Sequence, residues 1–296
     1  MPSHPFPERS VTFRQLFLRT FALLAARWQP VLIGALSFAL LGAVVSAYIE
    51  RRVERVEERL AQSAGISWQQ LEGRLSTRLS AMTETDMMRI AEQARLFRVG
   101  TVVVGTGALA GSQSKQDLLM AGYMVGIAPF VLLSLLIQAV ILFVAATFFL
   151  LLALSGLQSA YEVSQRLPGM VFPMIGLWLW MILRSFLWVP FLGPFIALYF
   201  LPRLALAPVM LASGERGVLG SVGESMRRTK GKWLVVFLGL LGAAVTVALL
   251  LSVAFLIVSA LALFSAKLSF FLWLMSIMFA VAWSMYCLAI LTAALG

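Results

Sequence analysis

WLVVFLGLLGAAVTVALLLSVAFLIVSALA, residues 233–262, runs for thirty positions without one charged side chain. A helix of that length spans more than the roughly 30 Å hydrocarbon core of a bilayer at 1.5 Å per residue. A surface helix of a soluble protein carries a charged stripe opposite its apolar one, and this stretch has none. It reads as a membrane span. Similar runs lie on either side of it, at about 30–49, 118–156, 168–189, 191–212 and 268–293. The chain as a whole is 61% hydrophobic and 12% charged, with a mean hydropathy of +0.93. Soluble domains lie nearer half apolar and a quarter charged. Only helices and closed barrels satisfy their backbone in lipid. The expected fold is therefore all-α: a polytopic membrane bundle of about six spans, with in-plane amphipathic helices and a small extramembrane cap.

Four segments follow from this pattern. Residues 1–29 form an N-terminal interfacial helix, 30–49 the first span, 50–117 a polar cap and joint, and 118–296 a five-span bundle. In SVTFRQLFLRTFALLAARW, residues 10–28, Phe13, Leu16, Phe17, Leu24 and Trp28 share one helical face, with Gln15 and Arg19 opposite. No small-residue cleavage site follows, and no removable leader is expected. The run 118–156 exceeds one perpendicular crossing, so it is either one span kinked at Pro129 or a span with an interfacial segment.

Residues 50–98 are the one strongly polar block, with nine cations and eight anions. That near balance suits a solvated, salt-bridged surface, and it makes Glu84 and Asp86 part of a wet face rather than a catalytic pair. Ile49, Val53, Val56 and Leu60 recur at 4-3-4 spacing, a narrow seam for a partner helix. Beyond it GTGALAGSQSKQ, residues 105–116, reads as a flexible joint, because a phosphate loop would need a strand before it and a helix after it.

Net charge is +10. No nucleic-acid-binding module accompanies it, so the charge is assigned to topology and lipid. With the N-terminus inside, the inner segments carry ten cations against four anions, whereas the outer cations are concentrated in one long, nearly neutral segment. The positive-inside rule then favours both termini in the cytoplasm. His4 is the only histidine and Cys287 the only cysteine, so a histidine-assisted hydrolase or a thiolate metal site lacks its parts. No cofactor and no enzymatic activity are expected.

Arg184 and Arg203 are the two charges placed within spans, in the third and fourth respectively. An intramembrane arginine costs roughly 2.5–3.5 kcal/mol on insertion scales and usually faces the bundle interior or a wet cavity. Three readings of Arg203 stand side by side. Its guanidinium can satisfy a carbonyl freed by Pro202 or Pro208, contact an anionic headgroup or solute, or snorkel to the interface. Gln138 and Ser185 serve as packing glue between helices, and LWLWMILRSFLW, residues 177–188, supplies interfacial anchors.

GESMRRTKGKW, residues 223–233, sets Arg227, Arg228, Lys230 and Lys232 directly before the long apolar run. On a wheel centred on Val222, the residues Val218, Leu219, Met226, Thr229 and Trp233 form the apolar side, with Glu224, Arg227, Arg228 and Gly231 opposite. Lys230 and Lys232 flank it, as expected of a juxtamembrane helix on anionic headgroups. The longer stretch RLALAPVMLASGERGVLGSVGESMRRTKGKW, residues 203–233, resembles the signature of YciC-like multi-pass bacterial inner-membrane proteins. It is similar also to the membrane domain of some glycerophosphodiester phosphodiesterases. Arg203, Pro208, Ser225, Thr229, Lys230, Gly231 and Trp233 take the motif positions. Met226 stands where a tryptophan is usual, and Trp233 comes one residue early. The resemblance implies a fold and a bacterial inner membrane, and brings no activity with it.

Two functions are expected to compete. One is a non-enzymatic accessory protein that organises membrane or binds a membrane-protein partner or a second copy of itself, with lipid headgroups at its cytoplasmic face. The alternative is a permease-like protein for an anionic or lipidic solute, using Arg203 and Arg184.

Overall fold

The computed structural model describes residues 13–64, 112–154, 159–186, 193–214 and 217–295. Every regular element among them is helical. In chain order these are α1 (Phe13–Ala26), α2 (Trp28–Ala64), α3 (Ser112–Leu154), α4 (Ala160–Phe186), α5 (Gly193–Leu204), α6 (Ala207–Ala212), α7 (Val218–Arg228), α8 (Trp233–Ala262) and α9 (Ala266–Leu295). Five of them, α2, α3, α4, α8 and α9, are long and apolar enough to cross a membrane. The expected spans at 30–49, 168–189, 233–262 and 268–293 lie on α2, α4, α8 and α9. The run 118–156 lies on α3, one helix with Pro129 inside it.

The sixth expected span, 191–212, is not one continuous helix. It is broken into α5 and α6 around a turn at 205–206. Pro208 occupies the second position of α6, where the absent N–H is tolerated, but it cannot return a bond to the preceding turn. The joint is also shorter than expected, because residues 112–117 already belong to α3. Of the expected cap, residues 50–64 continue α2, and 65–111, including Glu84 and Asp86, lie outside the described residues.

Two compact units divide the chain between residues 43 and 44 and between 139 and 140. In the larger unit α9 is the central helix, with 61% of its most apolar window buried against 11% for α8 and α4. Composition does not separate α8 from α9; neighbours do. Helix α1 packs on α9, and α4 carries α5, α6 and α7. The contact of α1 with α9 changes the reading of the N-terminal helix. Leu16 and Thr20 are buried, the Thr20 hydroxyl sits 3.2 Å from the Cys287 thiol, and the Phe17 and Trp283 rings lie 5.1 Å apart. Part of the face predicted to lie in lipid is spent on the bundle, while Trp28 remains 57% exposed.

The smaller unit pairs the later part of α2 with the early part of α3. The Gln138 amide donates to Ser46 Oγ at 3.0 Å, and the Tyr123 hydroxyl reaches Glu57 at 3.5 Å. Residue numbers climb on one helix as they fall on the other, so the pair is antiparallel. Of the seam residues, Ile49 is buried and Val53 and Val56 are half-buried. Leu60's side chain is outside the described residues. A Cβ on Gly126 would come within 2.9 Å of Val56 Cγ1, so the helices touch through the missing side chain. Gly126→Val is therefore expected to lower the thermal unfolding midpoint in detergent, at an overpacking cost of about 1–3 kcal/mol. Val56→Ala in the same chain should recover part of that loss. Unfolding curves that match the unsubstituted protein would show that the seam does not pack at Gly126.

Candidate functional site

The break between α5 and α6 is where the motif residues converge. A helix interrupted at 205–206 leaves carbonyls of its last turn without an N–H four residues on. The carbonyl of Arg203 is one of these, and Ser225 Oγ of α7 donates to it. This carbonyl, opposite Ala207, is not one of those that Pro202 or Pro208 frees, and a serine twenty-two positions later meets it. A short hydroxyl on a rigid helix meets a fixed carbonyl at lower conformational cost than a long side chain folding back on its own turn.

Hydroxyls organise the whole buried face of α7. Ser221, Ser225 and Thr229 recur every fourth residue and each is fully buried. Ser221 Oγ bonds Gly217 O at 3.0 Å, and Thr229 Oγ1 bonds Ser225 O at 2.8 Å. Such back-bonding consumes each polar group within its own helix or at the break. The buried side is thus turned toward the hydroxyls and away from the apolar centre that the wheel predicts: Val222 is buried, but Leu219 is 65% exposed.

Glu224 is the second departure from expectation. Placed by the wheel on the wet pole, its side chain is only 9% exposed. Arg227 donates to both of its oxygens, at 3.0 and 2.7 Å, and Arg228 Nε donates at 2.8 Å. Those donors hold the carboxyl down at about 2 against an ordinary 4.5, with desolvation opposing them. Arg227 is raised in return, chiefly by its hydrogen bond to Glu224. The four-cation knot is therefore divided. Arg227 and Arg228 share one carboxylate, while Lys230 and Lys232 are exposed on the turn that follows.

That turn depends on Gly231, whose φ of +75° is the left-handed region that a Cβ penalises. It delivers the chain to Trp233, the first residue of α8. The Trp233 ring lies 6.2 Å from Tyr199, and the Arg203 guanidinium stacks 4.3 Å over the Tyr199 ring. A cation on an aromatic face gains about 0.5–2 kcal/mol as it is desolvated. Nε of Arg203 is buried and has no hydrogen-bond partner. Pro208 is buried beneath the break. Arg203, Pro208, Ser225, Thr229, Gly231 and Trp233 thus belong to one assembly built from α5 to α8. Arg184 lies on α4, and its side chain is outside the described residues.

One further member gave little sign of itself in the sequence. Arg27, counted among the topology charges, donates from Nη1 to the carbonyl of Leu152 in the last turn of α3. Basic residues close helix C-termini in this way, but nothing in the linear order pairs residue 27 with residue 152. Comparisons with protein-family models, curated proteins and solved structures find no match.

Three expectations follow for the assembly. Glu224 has its pKa lowered by folding, so its contribution is complete above about 4.5 and is lost as pH falls toward about 2. An acid titration of stability should therefore show a loss across that window which Glu224→Gln removes; parallel titrations would mean that the pair does not couple to folding. Ser225→Ala, leaving a buried carbonyl unmet, should cost about 1–3 kcal/mol. Gly231→Ala should cost about 1–2 kcal/mol through its left-handed backbone. Both are read from thermal unfolding of the purified protein, and an unshifted midpoint would contradict the corresponding role.

Proposed function

We propose that the chain is a non-enzymatic integral membrane protein that organises lipid or an associated membrane protein, with α7 and the turn after it as its working surface. The observation that carries this reading is the division of α7. Its hydroxyl face is fixed to the α5–α6 break, whereas Arg227, Lys230 and Lys232 stay on the outside. A basic surface held rigidly beside the start of a long apolar helix is suited to anionic headgroups, at about 1 kcal/mol per cation near the surface. Glu224 holds Arg227 and Arg228 in a fixed fork, so less side-chain freedom is lost when a phosphate arrives.

The resemblance of residues 203–233 to YciC-like proteins supports a bacterial inner membrane, and the charge distribution supports cytoplasmic termini. A permease reading has less support. Arg203, its principal residue, stacks on Tyr199 beside Trp233 at the start of α8 rather than midway along an unbroken span.

Hydrogen–deuterium exchange of the full-length protein in nanodiscs tests the proposal. Amides of 217–232 should gain protection when phosphatidylglycerol replaces phosphatidylcholine, and the double variant Lys230→Glu, Lys232→Glu should lose that gain. Exchange that is independent of headgroup charge would overturn it.

A further inference from the structure

Between α4, α5, α8 and α9, within the larger unit, lies a cavity of about 410 Å³. Its walls include Trp178, Leu201, Leu204, Ala243, Ala244 and Leu288. The volume falls within the roughly 300–1,000 Å³ of ordinary small-molecule sites. The Ser284 hydroxyl and the Cys287 thiol on its surface are already engaged. Ser284 Oγ donates to Ala280 O at 2.8 Å within α9, and the Cys287 thiol contacts the Thr20 hydroxyl. A wall this apolar accepts hydrocarbon more readily than a polar solute.

Depth and charge identify the rest of the occupant. Ala243 and Ala244 stand ten and eleven positions beyond Trp233 on α8, roughly 15 Å deeper at 1.5 Å per residue. Trp233 follows the exposed Lys232 and marks the interfacial end, as tryptophans do at membrane surfaces. Arg203 is set at that end by Tyr199 and Trp233, and its chain neighbours Leu204 and Ala205 line the cavity. Its buried Nε, without a partner, is a donor awaiting an acceptor. We propose that this cavity holds the acyl chain of an amphiphile whose anionic headgroup oxygen is received by Arg203. The proposal rests on the lipid-engaging reading above and adds to it a single discrete site.

Native mass spectrometry of the full-length protein, released from mild detergent, tests this. Wild type should retain one amphiphile per chain; a phospholipid mass and a fatty-acid mass both support the site, and the mass names the source. Ala244→Phe fills the cavity and should lower adduct occupancy about tenfold or more, with Ser284→Leu as a second filling variant should the first fold poorly. Arg203→Gln should weaken retention of the anionic amphiphile while sparing the neutral one. In all three variants the charge-dependent protection of 217–232 should persist, which separates failure of this site from failure of the α7 surface. Equal adduct occupancy in wild type and in both filling variants would overturn the cavity assignment. Unchanged retention in Arg203→Gln would overturn the role of the arginine.

Discussion

The hydrogen bond from Ser225 to the carbonyl of Arg203 answers the interruption of a helix from within the protein. In hydrocarbon an unmet carbonyl costs several kcal/mol, so every interruption of a helix must be answered from within the protein. The same answer recurs elsewhere in the larger unit. Arg27 donates to Leu152 in the last turn of α3, and Ser269 Oγ donates to Val258, in the last turns of α8, at 2.7 Å. In each case a side chain from a different helix closes a helix end or a break. These bonds tie the α1–α2 junction to α3, α5 to α7 and α8 to α9 more specifically than apolar contact could, since lipid tails are as apolar as leucine and give little preference for one helix over another.

This constraint also explains what could be read from the sequence. The long spans were legible because length and lack of charge are properties of one segment: 233–262 was expected and found with the same ends. The partners were not legible, because they are properties of pairs. Nothing local says that Ser225 serves Arg203, that Glu224 is buried under two arginines, or that Arg27 caps α3. The helical wheel misplaced Glu224 for a related reason. It ranks side chains by polarity, and a carboxylate gripped by two guanidinium groups can be buried as a pair or triad where a lone one cannot. A heptad-like stripe such as Ile49, Val53 and Val56 does not state which helix covers it; Val56 meets α3 at Gly126.

Lipid-facing and core-facing helices show the same limit from the other side. Both α8 and α9 are apolar on all faces, and the burial of α9 marks it as the centre. Small polar groups mark it too. Ser269, Cys287 and Thr292 are buried on α9, whereas Ser252 on α8 satisfies itself on Ala248 and is exposed. A hydroxyl bonded to its own helix is compatible with either environment, so its presence in a sequence does not locate a core.

A chain that answers its helix breaks internally should leave few polar atoms over, and the exceptions then carry meaning. Among the described residues, the buried side-chain atoms without a hydrogen bond include Arg203 Nε and Trp283 Nε1. The indole belongs to a ring that already fills the α9 core, where burial of the ring outweighs one unmet group. Arg203 has no such excuse. Its carbonyl is served by Ser225 and its guanidinium rests on Tyr199, so the backbone and the charge are accounted for while one donor is not. The fold gains nothing from that donor, which distinguishes Arg203 from Arg27, whose guanidinium closes α3. An arginine kept beside a proline-broken helix, without closing the break, is therefore better explained by something it receives than by something it holds together.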